Sequence, residues 1–211
     1  LKARLQTLYA HPTLDAKLLV APLADWTGAV KKALESAQPS FRVREIQMGG
    51  KWRPQKRATC FMAGPGVPGF SYSGQTTDPD PLTAPVKAVL DRVNEALGLA
   101  FNGVLLNFYE ASPTSGIGFH SDAPTGLGAG GTVVSISFGA PRTFRVKDKA
   151  TLKTLVSHKT GPCELMVMAG TDFQPTLLHG IPAMAKAGRR WSLTFRQHAV
   201  PKLGPKRVLN P

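Results

Sequence analysis

The spacing of apolar residues changes near position 100. Before it, two stretches carry helical spacing. Leu23, Trp26, Val30, Ala33, Leu34 and Ala37 recur at three- and four-residue steps, which predicts an amphipathic helix that Pro39 ends. Val86, Val89, Leu90, Val93 and Leu97 form a second stripe, with Gly98 placed to cap it. Residues 1–21 have no clear period, although Val20-Ala21-Pro22 reads as the end of a short strand. The stretch from Phe41 to Phe61 alternates weakly and reads as strands around a turn at Gly49-Gly50. From Gly64 to Pro85 the chain is rich in Gly and Pro and reads as loop, with Phe70 and Tyr72 inside it.

After position 100 the period becomes two. Val104 to Tyr109, Thr132 to Phe138, Thr143 to Val146, Glu164 to Met168, Leu177 to Ile181 and Arg190 to Arg196 read as strands. Many short strands separated by turns predict a sandwich or jelly roll. The expected class is therefore mainly β with flanking helices (α+β). One structural domain is expected: residues 1–100 as an N-terminal extension and lid on the core, 101–200 as the core, and 201–211 as a basic tail.

Composition adds constraints. A chain of 211 residues is long enough to bury a core, and 21 Gly with 18 Pro suit a turn-rich β fold. The excess of 26 Lys and Arg over 13 Asp and Glu gives a net charge of +13, which favours polyanionic partners. Two cysteines, Cys60 and Cys163, make no disulfide framework and read as core residues of a protein in a reducing compartment. No run of apolar residues is long enough to cross a membrane, and the first residues lack the apolar segment of a signal peptide. An intracellular monomer without a membrane partner is expected.

Candidate chemistry centres on His120-Ser121-Asp122. Alternate residues of a strand project to one side, so imidazole and carboxylate can share a metal. His179, in Leu177-Leu178-His179-Gly180-Ile181-Pro182, supplies a third ligand type. Two histidines and one carboxylate, with positions left open, describe the facial triad of non-haem Fe(II) oxygenases. Arg190, Ser192, Thr194 and Arg196 share one face of a strand whose other face carries Trp191, Leu193 and Phe195. Two arginines on such a face require anionic partners, and a dicarboxylate suits them because arginine grips a carboxylate through two parallel hydrogen bonds. His11, His158 and His198 lack partners at ligand spacing and read as surface or structural.

Five blocks together carry a resemblance: Asn107-Phe108-Tyr109; His120-Ser121-Asp122; Val134 through Phe144, with its Ser137-Phe138-Gly139-Ala140 step; His179-Gly180-Ile181-Pro182; and Arg190 through Arg196. In order and spacing they resemble the AlkB family of Fe(II)- and 2-oxoglutarate-dependent dioxygenases. The strong resemblance runs from about Phe101 to Gln197, with a weaker match at Gly50-Lys51-Trp52 and Phe70 through Gly74.

The resemblance implies a double-stranded β-helix, a jelly roll, with Fe(II) held by His120, Asp122 and His179. It implies 2-oxoglutarate bound by Asn107, Tyr109, Arg190 and Arg196, with Ser192 where the family often has Asn, and O₂ as the oxidant. No catalytic residue beyond the metal ligands is implied. The implied activity is oxidative removal of alkyl groups from nucleic-acid bases, releasing formaldehyde, succinate and CO₂. The alternative is a 2-oxoglutarate oxygenase acting on protein or a small molecule. Tyr72, Phe70 and His120 are the expected contacts of an extruded base, and Lys51, Arg53, Lys56 and Arg57 the expected phosphate contacts.

Two departures bear on the substrate. Relatives that repair duplex DNA carry a bulky wedge near Gly50-Lys51-Trp52, where this chain has Met48-Gly49; single-stranded nucleic acid, DNA or RNA, is therefore expected. Relatives acting on cationic bases place an acid just after the metal-binding Asp, where this chain has Ala123-Pro124. Either a neutral base is preferred or another acid such as Asp172 serves.

Overall fold

The computed structural model describes residues 1–72, 75–122 and 131–200, without the side chains of Ala3, Met48, Phe70, Ser71, Tyr72 and Gln75. The expected basic tail and Ala123-Pro124 lie outside the described residues. In chain order the strands are β1 (Gln6–Ala10), β2 (Lys17–Pro22), β3 (Arg42–Met48), β4 (Lys51–Ala63), β5 (Phe70–Tyr72), β6 (Gln75–Thr77), β7 (Asp80–Pro81), β8 (Gly103–Tyr109) and β9 (Ile117–His120). They continue with β10 (Val133–Gly139), β11 (Thr143–Asp148), β12 (Thr154–Lys159), β13 (Cys163–Ala169), β14 (Leu177–Ile181) and β15 (Arg190–Arg196). Helices α1 (Thr27–Ala37) and α2 (Ala84–Leu97) precede β3 and β8, and a single turn, α3 (Phe173–Thr176), precedes β14.

Two sheets face each other. The larger runs β1-β2-β13-β10-β15-β8-β4-β3, with β7 added beside β4. The smaller runs β12-β11-β14-β9. This antiparallel sandwich is the expected jelly roll. Its alternation decides what each face does. On β10, Val134 and Ile136 join Leu165, Leu193 and Phe195 under α1 and α2, where the helices bury Val30, Leu34, Val89 and Val93. Val133 points the other way, into a second core with Met166, Met168, Phe144, Val146 and Ile181 between the sheets. Each fully buried aliphatic side chain of this kind contributes roughly 1.5–3 kcal/mol.

The inward face is not wholly apolar. Register places Asn107 beside Ser192 and Ser192 beside Ser137, with Tyr109 beside Arg190 in the next row. This polar stripe interrupts the inner core and marks one end of the sandwich.

Both expected helices form. Thr83 caps α2 by accepting from the Val86 backbone N–H, and Gly98 ends it in the left-handed region at φ 70°. Three expectations need correction. The stretch from Gly64 to Pro85 is not continuous loop: β5 and β6 form a short hairpin, with Phe70 opposite Thr77, and β7 pairs with β4. Residues 6–10 and 17–22 are strands; β2 ends at Pro22, as Val20-Ala21-Pro22 suggested, and the rest escaped periodicity because β1 is an edge strand and β2 is largely buried. The segments Ile117–His120 and Thr154–Lys159 are also strands; each edges the smaller sheet and so shows little alternation.

Candidate metal and cosubstrate site

His120 and His179 face each other across the β9–β14 ladder, with ring centroids 4.4 Å apart. Asp122 completes the cluster: one potential ligand atom from each of His120, Asp122 and His179 lies within 4.8 Å of the others. The route to this geometry differs from the one the sequence suggested. β9 ends at His120, so Asp122 is not brought to the same side by strand pleat. It is set instead by two hydrogen bonds from the segment before it in space. Ser121 Oγ donates to the Leu177 carbonyl at 2.8 Å, and the Asp122 N–H donates to Gln174 Oε1 at 2.8 Å.

Each ligand is prepared for a metal. His120 Nδ1 lies 2.9 Å from the Gly118 carbonyl, a contact that a protonated Nδ1 satisfies, leaving Nε2 to coordinate. Burial disfavours protonation of both imidazoles and outweighs the opposing pull of Asp122, with Arg196 adding to it, and His179 is pushed down to about 3. Both are therefore neutral near pH 7 and need release no proton to bind a cation. Burial alone would raise the Asp122 carboxyl; Arg196, His179 and His120 outweigh it and hold the group at about 2. Phe144 and Phe173 flank the His179 ring at 5.8 and 6.5 Å and keep that side dry.

Arg190 lies on the polar stripe and is 2% exposed. Its Nη2 donates to Ser137 Oγ at 2.7 Å, and its guanidinium carbon lies 5.0 Å from the centre of the Tyr109 ring. Among the described residues, Nε and Nη1 are buried with no partner, as are Asp122 Oδ2 and His179 Nδ1. Leaving such groups unmade is costly, and burial works against the guanidinium charge. The residues present thus fit a small anion at Arg190 and a cation at the His-Asp-His cluster. Two imidazoles and one carboxylate are the donor set expected of a non-haem iron site.

The remaining sequence-selected residues divide. Asn107 and Ser192 are buried on the same stripe, and Asn107 Nδ2 donates to Ser192 Oγ at 3.3 Å. Arg196 has a protein anion as partner: its Nη2 lies 2.6 Å from Asp122 Oδ1. Arg57 is not out with the exposed Lys51, Arg53 and Lys56; it is half-buried, and its Nε donates to Asn107 Oδ1 at 2.9 Å. The side chains of Phe70 and Tyr72 lie outside the described residues. His158, read as surface or structural, makes a 2.7 Å pair with Glu164 at the start of β13. Asp172 accepts from the Asp15 backbone N–H at 3.0 Å. Sequence reasoning missed Gln174 and Ser137. Nothing in Phe173-Gln174-Pro175 marks the glutamine, whereas Ser137 was visible as a polar residue among apolar ones in a buried strand.

A sandwich of this topology holding two histidines, an aspartate and a buried unpaired arginine defines an iron- and 2-oxoacid-dependent oxygenase site. The sequence matches the 2OG-Fe(II) oxygenase superfamily over residues 19–196, and the chain belongs to that family, which brings Fe(II), 2-oxoglutarate and O₂ as its cofactor and cosubstrates. Within it, the chain is similar to the AlkB homologues. It is 34% identical over 153 residues to the rat alpha-ketoglutarate-dependent dioxygenase alkB homolog 3, an alignment covering 68% of this chain and 50% of that one. It is 32% identical over 161 residues to the human DNA oxidative demethylase ALKBH2, covering 72% and 60%. The chain thus spans between half and three-fifths of these relatives' length. A solved structure described as OsALKBH1 has the same fold, with a TM-score of 0.59 at 18% identity, covering 92% of this chain and all of that one.

Proposed function

We propose that this protein removes alkyl groups oxidatively from bases of single-stranded nucleic acid. The observation that carries the reading is the buried Arg190 guanidinium on β15 of the larger sheet, with two nitrogens unpartnered among the described residues, together with the His120–Asp122–His179 cluster of the smaller sheet, which Arg196 of the same strand reaches through Asp122. His120, Asp122 and His179 would hold Fe(II). Arg190, Tyr109 and Asn107 would hold the far carboxylate of 2-oxoglutarate, with Ser192 orienting Asn107 and Arg196 fixing Asp122 and the cosubstrate's near end. When bound, the iron with 2-oxoglutarate and O₂ supplies the oxidising power that converts an N-methyl group to formaldehyde, the cosubstrate leaving as succinate and CO₂.

The protein's own part is binding, orientation and exclusion of water. Arg190 neutralises a carboxylate without solvent. Phe144 and Phe173 close one side of the site. Lys51, Arg53 and Lys56 are exposed along β4 and would track phosphates, and Tyr72 and Phe70 would stack an extruded base. The net charge of +13 and the printed name of the ALKBH2 relative, a DNA oxidative demethylase, support a nucleic-acid substrate.

The test incubates the protein with Fe(II), 2-oxoglutarate and methylated single- and double-stranded oligonucleotides, reading base mass and succinate. Loss of 14 mass units per methyl, roughly one CH₂, is expected from single strands, and His120→Ala should abolish it while oligonucleotide binding survives. Succinate formation without any change in the oligonucleotides would favour a protein or small-molecule substrate.

A further inference from the structure

All 13 Asp and Glu side chains fall in described residues, and the undescribed stretches contain no acidic side chain. Asp122 is the carboxylate at the cluster. At His120 the charges of Asp122, Arg57 and Arg196 act, and at His179, with His120 neutral, those of Asp122 and Arg196. Asp172, the nearest acid in sequence to His179, is occupied by the Asp15 backbone. Glu110, which follows Tyr109, pairs on the surface with Arg189 at 3.5 Å.

Arg57 stands against this background. β4 delivers it to the polar stripe, just before Ala58 and Thr59, which pair with Phe108 and Asn107 of β8. Nε is committed to Asn107 Oδ1 at 2.9 Å, while Nη1 and Nη2 have no hydrogen-bond partner among the described residues. Fe(II) and 2-oxoglutarate offset each other in charge, and Asp122 and Arg196 do the same, which leaves Arg190 and Arg57 as two uncompensated cations. Arg190 is buried on the polar stripe; Arg57 is half-buried, keeps two donors without a partner among the described residues, and acts through its charge on His120.

Resting on the nucleic-acid reading above, we propose that the pocket selects an electrically neutral N-alkylated base bearing a ring carbonyl, such as N3-methylthymine or N1-methylguanine, over cationic N1-methyladenine and N3-methylcytosine. Arg57 is the specificity-determining residue. Its outer nitrogens donate to the carbonyl oxygen, and its charge repels a cationic ring in a site where screening is weak.

Single-stranded oligonucleotides each carrying one of these four lesions give the test at pH 7.5, with repaired base measured by mass spectrometry. The expected kcat/KM for the neutral lesions exceeds that for the cationic ones by at least about tenfold. Arg57→Gln should bring the ratio to within about threefold, mainly by raising turnover of the cationic lesions, whereas Arg57→Lys should keep the preference. Faster repair of the cationic lesions by the wild-type protein would overturn this inference alone, as would a ratio indifferent to Arg57→Gln. If none of the four is repaired while succinate still accumulates, the nucleic-acid reading fails and this inference with it.

Discussion

At the scale of single residues, the site depends on side chains that hold its metal ligands in place. Asp122 lies beyond the end of β9, so the sheet does not fix it. Gln174 does, through the Asp122 N–H, and Arg196 holds Oδ1 from the other side. Groups that orient metal ligands typically change metal affinity 10–100-fold when removed. Gln174→Ala should therefore weaken Co(II) or Fe(II) binding by about tenfold or more, read by metal titration without substrate, while His120 and His179 stay in place. Unchanged affinity would show that Arg196 alone suffices. The metal-binding residues were legible because their types and order are chemically distinctive. Gln174 was not, because a glutamine acquires meaning only once the fold brings α3 beneath Asp122. The position of Arg57 was misread for a related reason. A basic run reads as surface, yet the pleat of β4 turns alternate members inward, so Arg57 reaches Asn107 while Lys56 is exposed.

At the scale of elements, stripes and alternation located what packing holds, and junctions escaped. Helices α1 and α2 and the strands bearing one apolar and one polar face were readable, since burial demands the period. Edge strands β1, β9 and β12 were not, because little of their surface is buried. Two glycines illustrate what junctions require. Both have positive φ: Gly98 at 70° after α2 and Gly170 at 100° after β13. A Cβ at Gly98 would meet only Lys2 Nζ at 3.5 Å, but one at Gly170 would lie 2.0 Å from the Asp15 carbonyl oxygen. Gly98→Ala should cost about 1 kcal/mol in denaturant titration. Gly170→Ala should cost clearly more, because the β13–α3 connection must shift away from the Asp15 loop. Equal costs would mean that the Asp15 loop yields freely.

At the scale of the whole molecule, buried histidines set the response to acid. His179 is held at about 3 and His198 at about 4, in both cases first by burial and then by neighbouring positive charge. An unfolded chain takes up these protons near pH 6.5. The unfolded state therefore binds more protons than the native state between about pH 6.5 and 4, and native stability falls as pH drops through that window. The metal-free protein should show full stability above about pH 6.5 and a declining thermal midpoint below it, with a shallower decline in His198→Gln. A midpoint flat across the window would contradict the burial of these rings.

The change of period near residue 100 is no break in the hydrogen bonding. β2 zips onto β13 on one flank of the large sheet, and β4 zips onto β8 on the other. Cutting the chain at that boundary would strip both margins of the ligand-bearing half at once, baring two ribbons of unpaired peptide groups. Such a fragment would gather into clumps before it could seat an iron atom, so the ligand-bearing strands lean on the first hundred residues for their margins.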